Sequence, residues 1–163
     1  MDTSVNIIGF GGGCHWCTEA VFQTLRGVKS VEQGFIKSDP PHDSWSEAVR
    51  ISFDAEIIPL PVLVAIHLRT HSSQSNHTFR GKYRSAVYVV SKSQKTAVDA
   101  ILKDEQMEFD NPLVTHVLPL KEFKSSPDVF KDYYKTDPER PFCKAYIDPK
   151  LTKLRRDYAN YLS

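Results

Sequence analysis

The sequence predicts an α+β fold, a two-layer sandwich with a ferredoxin-like βαββαβ core and a loop-rich C-terminal extension. Three observations lead there. Hydrophobic periodicity changes along the chain in the order strand, helix, strand, strand, helix, strand. Three consecutive glycines, Gly11 to Gly13, join the first strand to the first helix. The chain has 163 residues, 40% hydrophobic and 25% charged, enough for a real core. Residues 1–163 are therefore expected to form one domain, with a tail from about residue 120.

Each element has its own signal. Val5 to Phe10 reads as a buried strand, and Ala20, Val21, Phe22 and Leu25 lie at helical spacing until Arg26-Gly27 stops the helix. Val28 to Ile36 reads as a strand, and Asp39 to Asp43 as a turn. From Glu47 to Phe53, Val49, Ile51 and Phe53 alternate with Arg50 and Ser52, the pattern of a half-buried strand. Pro59 and Pro61 suit the first turn of a helix over Val62 to Thr70. Tyr83 to Ser91 is rich in Val and Tyr and reads as a strand. Ser93 suits the cap of a helix to about Asp104. A strand over Leu113 to Leu118, a short helix over Pro127 to Tyr134 and a last helix opening at Asp148-Pro149 follow.

Composition excludes several classes. The net charge of +1 gives no footing for nucleic acid or an anionic membrane. No apolar run approaches a membrane span, and the first residues lack a secretory signal pattern. Three cysteines are too few and too odd for a disulfide framework, so a cytoplasmic protein with working thiols, and a monomer, is expected.

Cys14 is the centre of the chemical reading. It falls at or just before the first turn of a helix, where unpaired amides and the helix dipole favour an anion and lower a thiol's pKa. Glu47 opens a strand, and from pattern alone it is either a general acid or a solvated strand-end charge. Tyr83 is either a hydrogen-bond donor to a developing oxyanion or a core aromatic, the role expected of Tyr88. Trp16 is either core or a wall for a sulfur-bearing substrate. Cys143, between two expected helices, stands on what reads as a mobile irregular segment able to reach an oxidised nucleophile. His67 and His71, four apart, lack a third ligand at metal-like spacing, so no metal is expected.

Gly13-Cys14-His15-Trp16-Cys17 resembles the Gly-Cys-Phe-Trp hallmark of the A-type peptide methionine sulfoxide reductases. Ser46 to Ile51 is similar to that family's Ala-Glu-Val-Val-Arg-Val segment, and Gly81 to Tyr88 to its Gly-Thr-Gln-Tyr-Arg-Ser-Ala-Ile-Tyr segment. Asp132-Tyr133-Tyr134 is a weaker match to its tail helix. The resemblance covers nearly the whole chain. It implies Cys14 as nucleophile, Glu47 as the acid that protonates the sulfoxide oxygen, Tyr83 as a further catalytic group and Cys143 as the resolving thiol. It implies substrate contacts from Trp16 and from the positions of His15, Phe35 and Thr78, where the family has Phe, Tyr and Asp. His15 or His77 is a candidate to compensate for the lost polar groups. The activity implied is reduction of methionine S-sulfoxide, free or in proteins, through a Cys14 sulfenic acid and an intramolecular disulfide. Thioredoxin is the implied electron donor, with no bound cofactor. Two alternatives stand beside it. One is a thioredoxin-like oxidoreductase using Cys14-His15-Trp16-Cys17; the other is a non-catalytic module that binds methionine-rich partners.

Overall fold

The computed structural model describes residues 5–71, 73 and 82–163. Thr78 and His77 lie outside the described residues. Val5–Gly11 forms β1, and His15–Gln23 forms α1 directly after the glycine turn. Val28–Lys37 (β2) and Ser46–Asp54 (β3) form an antiparallel pair, and Leu60–Arg69 (α2) follows with proline in its first turn. Ala86–Val89 is β4, Lys92–Glu105 is α3, and His116–Pro119 is β5. Glu122–Ser125 (β6), Tyr133–Thr136 (α4) and Asp148–Asp157 (α5) complete the chain.

The strand order is β5-β4-β1-β3-β2-β6, with every neighbouring pair antiparallel except β4 and β5. A mixed sheet with helices packed on it is an α+β fold, as the sequence predicts. One face of the sheet carries Ile8, Phe10, Val49, Ile51, Phe53, Val87 and Val89. Phe22 of α1, Leu63 and Ile66 of α2, and Leu151 and Leu154 of α5 bury themselves in that cluster. Each such side chain contributes about 1.5–3 kcal/mol by leaving water. The opposite face holds Ile36, Ala48, Ala86 and Tyr88 under Leu118, Leu120 and Phe123. Among the described residues, no helix is long and apolar enough to cross a membrane.

Several boundaries differ from expectation for local reasons. The strand expected from Tyr83 begins only at Ala86, because Arg84 N–H donates to the Ser46 hydroxyl (2.8 Å) instead of to a ladder carbonyl. The Arg84 guanidinium is buried, donating to Tyr88 Oη and to the Ser44 and Ile36 carbonyls. The cap of α3 is Ser91, not Ser93: the Ser91 hydroxyl accepts from Gln94 N–H at 3.1 Å. β5 starts later than Leu113 and runs parallel to β4. β6 gives no sequence signal, since its four residues hold one large apolar side chain, Phe123. Gly34 permits its approach, because a Cβ there would collide with the Lys124 carbonyl.

Candidate active site

The antiparallel order brings three chain ends to one place. The C-terminal end of β1 lies beside the N-terminal end of β3, and Glu47 of β3 pairs with Phe35 of β2. Cys14, Glu47 and Phe35 thus meet although far apart in sequence. Together with His15, Trp16, Lys82 and Tyr83 they line a cleft of about 760 Å³. Lys124 to Pro127, Phe130 and Phe142 form its other side.

Gly11 and Gly12 serve space, not unusual dihedrals, whereas a Cβ at Gly13 would meet nothing within 4 Å. None of Gly11, Gly12 and Gly13 has positive φ. Gly12 is required because a Cβ there would occupy the His71 ring. His71 is held by the Ser85 hydroxyl at 2.7 Å, and His67 Nε2 by the Gly11 carbonyl at 2.7 Å. The two histidines stack behind the turn, centroids 4.2 Å apart, and brace it. No group of three or more metal-ligating side chains exists among the described residues.

Cys14 is the residue immediately before α1, as expected, but its thiol is not acidified. Burial pushes it up to about 12. The Trp16 amide faces the sulfur and pulls the other way, and the Cys17 amide helps less. Nearby charge on Cys17 and Glu47 adds to the rise. The helix terminus therefore acts in the predicted direction and is outweighed by desolvation. It also serves a second acceptor: the His15 N–H, first amide of α1, donates to Glu47 Oε1 at 3.2 Å.

His15 and Glu47 are 6% and 7% exposed, so their charges are poorly screened by water. The imidazole Nδ1 lies 2.8 Å from the Gly34 carbonyl, and Nε2 lies 3.4 Å from Glu47 Oε1. Its ring meets Phe35 edge-on at 5.2 Å. The exposed Lys82 ammonium sits 3.7 Å from Glu47 Oε2 and 5.2 Å from the Tyr83 ring. Glu47 is thus a buried carboxylate ringed by donors, and not a solvated strand-end charge. Tyr83 lines the same cleft from the turn before β4.

The second wall is aromatic. Trp16 stacks on Tyr133 at 4.1 Å with planes 1° apart, and Phe142 abuts it edge-on at 5.4 Å. Trp16 is both packed and cleft-lining, so its two sequence readings are compatible. A latch holds this wall. Glu19, buried on α1, accepts from Asp132 N–H (3.0 Å), Tyr133 N–H (3.2 Å) and Gln33 Nε2 (3.0 Å). Gln33 Nε2 also donates to the Phe130 carbonyl at 2.8 Å. The expected helix over Pro127 to Tyr134 is consequently broken: Asp132 takes φ 52°, and α4 starts only at Tyr133. Burial raises the Glu19 carboxyl. Sequence reasoning missed Glu19, Gln33, Phe130 and Phe142. Glu19, a charge just before the apolar run Ala20-Val21-Phe22, was the one available signal; Gln33, flanked by Glu32 and Gly34, gave none.

Cys143 is not on an irregular segment. It opens a π-helical turn, Cys143–Ile147, that runs straight into α5, and it is buried. It shares the main core with Cys17, and charge on Cys143 adds to the rise of the Cys17 thiol to about 11, which is caused mainly by burial. Cys143 does not line the cleft, although its neighbour Phe142 does. All three cysteines are free thiols.

Residues 6–162 match the family model described as Peptide methionine sulfoxide reductase. The chain belongs to the peptide methionine sulfoxide reductase family. It is 36% identical to the enzyme MsrA of Psychrobacter sp. (strain PRwf-1), over 94% of this chain and 96% of that protein. Among solved structures, methionine sulfoxide reductase A of Corynebacterium diphtheriae aligns with a TM-score of 0.72 at 20% identity, over 84% of this chain and 77% of that one. Mxr1 of Saccharomyces cerevisiae, in complex with Trx2, aligns with a TM-score of 0.63 at 17% identity, over 82% and 87%. Family membership removes the two alternatives, a thioredoxin-like oxidoreductase and a non-catalytic module.

Proposed function

We propose that this protein reduces methionine S-sulfoxide, free or in proteins, with Cys14 as nucleophile and Glu47 as acid. The reaction class is that of its family, and the protein is an enzyme. The observation that carries the assignment is convergence: Cys14, Glu47 and Tyr83 line one cleft whose far side is aromatic. The aromatic wall of Trp16 and Phe142 receives the S-methyl group. Glu47 gives a proton to the sulfoxide oxygen, and Tyr83 supports that oxygen by a hydrogen bond. Cys14 sulfur attacks the sulfoxide sulfur, its proton passing to the emptied acid group. The S–O bond of the substrate breaks, the oxygen ends on Cys14 as a sulfenic acid, and methionine leaves. Cysteine sulfur is oxidised by two electrons and methionine sulfur is reduced by two.

Recycling follows from a second thiol. Cys143 attacks the sulfenic acid, water leaves, and a Cys14–Cys143 disulfide forms. Its burial in helical structure makes local unwinding of residues 143–147 part of that step. A thioredoxin dithiol then reduces the disulfide, a partnership supported by the Mxr1–Trx2 complex. His15 and Phe35 line the cleft and contact substrate, a role that the family resemblance also gives to Thr78. We further read the chain as a single, monomeric, cytoplasmic domain whose β4-β1-β3-β2 portion is a ferredoxin-like split unit, an order that supports the two-layer description.

An epimer-resolved methionine sulfoxide assay on wild type and Cys14→Ser tests the reading. Wild type consumes the S epimer alone. Cys14→Ser loses all turnover while keeping its melting temperature. Residual turnover in the serine variant removes Cys14 from its role.

A further inference from the structure

The Gly34 carbonyl has only lone pairs to offer, so the His15 Nδ1 beside it at 2.8 Å carries the hydrogen. Nε2 is then a bare acceptor in a neutral ring. It faces Glu47 Oε1, also an acceptor when ionised, at 3.4 Å. Two bare acceptors facing each other at that distance, in residues 6% and 7% exposed, repel each other, and a proton held by either one relieves the repulsion. From this geometry we infer that His15 and Glu47 hold one proton jointly, and that His15 is the positioning residue that keeps Glu47 supplied with it. The pair exists as imidazolium with carboxylate, or as imidazole with carboxylic acid. Donation to the sulfoxide oxygen empties the pair, and the Cys14 proton refills it, so pair and substrate balance over the turnover.

This inference rests on Glu47 being the acid. It answers a difficulty in that role. The His15 amide at 3.2 Å and the Lys82 ammonium at 3.7 Å both stabilise negative charge on Glu47 and so oppose its holding the proton unaided. The imidazole Nε2 beside it offers that proton a second site. The other titratable groups facing the pair are Cys14 on the adjoining turn, Tyr83 and Lys82 before β4, and Lys124 of β6 across the cleft. Cys14 is pushed up to about 12, above the range tested here. Lys82 is raised, chiefly by Tyr83, so it keeps its charge across that range.

The test is the pH profile of a single turnover, from pH 5 to 9, for wild type, Glu47→Gln and His15→Phe. Wild type loses rate as the pair loses its one proton. In His15→Phe that descending limb moves to lower pH, because the proton has lost one of its two sites. A limb that stays in place overturns the shared proton even if Glu47→Gln is slow. A fast Glu47→Gln removes the acid and the pair together. Should His15→Phe not fold, nitrogen-15 spectra of histidine in wild type and Glu47→Gln decide the matter. The pair requires His15 Nδ1 to stay protonated throughout, with Nε2 titrating at lower pH once Glu47 is replaced. An Nε2–H tautomer, or a titration indifferent to Glu47, overturns it.

Discussion

The two sides of the cleft are built differently. Cys14 stands on the turn into α1, His15 opens α1, Phe35 is on β2 and Glu47 on β3, all fixed by ladder registers and by Gly12 seated against His71. Phe130, Tyr133 and Phe142 belong to short, broken elements. Near the cleft they are tied to the core by the stack on Trp16 and by the Glu19–Gln33 latch. A reacting thiol and its acid need fixed distances, which a sheet provides. In the proposed cycle the resolving thiol must stay away until methionine has left, and the burial of Cys143 in the helical run into α5 keeps it away until residues 143–147 unwind. Under the proposed function, one side is rigid for chemistry and the other is separable for recycling.

The largest expected effect breaks that division at its far end. Cys143→Ser forms its first methionine at the wild-type rate but stops at roughly one equivalent per enzyme with thioredoxin present. Counting methionine by rapid quench over several turnovers measures this. Normal recycling, with a Cys14–Cys17 peptide on mapping, assigns resolution to Cys17 and leaves the tail a wall only.

Loosening the wall without touching either thiol is the intermediate case. Glu19→Ala leaves the Gln33 side chain and the Asp132 and Tyr133 amides without their acceptor. Leaving such donors unpaired costs about 1–3 kcal/mol. The melting temperature falls by several degrees. KM rises because the aromatic wall is displaced, and proteolysis within 126–142 quickens. An unchanged KM beside a lowered melting temperature confines the latch to stability.

The smallest effect sharpens the rigid side. With Cys14 at about 12, its alkylation by iodoacetamide climbs about tenfold per pH unit from pH 7 to 10 without levelling. An unfolded control levels near the ordinary thiol value. By linkage, the unfolded chain releases the Cys14 proton first, so the stability this thiol contributes is intact below its ordinary value and fades as pH rises toward 12. Glu47→Gln speeds the reaction less than about tenfold, because burial, not the carboxylate, is the main cause of the rise. A plateau at pH 7 to 8 contradicts the buried thiol.

The sequence by itself determined the strand–turn–helix around Cys14, the alternating strand that carries Glu47, and the family. Those signals are local: periodicity, a glycine run and contiguous motifs record what neighbours in the chain require of one another. Only the tertiary structure decided which charges meet. The Cys14 thiol is raised and not lowered because neighbouring elements bury it, a fact no spacing encodes. The joint placement of His15 and Glu47 depends on a 32-residue separation closed by the β1–β3 register. β6, the broken tail helix and the helical setting of Cys143 were illegible for the same reason. Their stability comes from Glu19, Gln33 and the core they lie against, and short elements held by distant partners leave no periodic mark of their own.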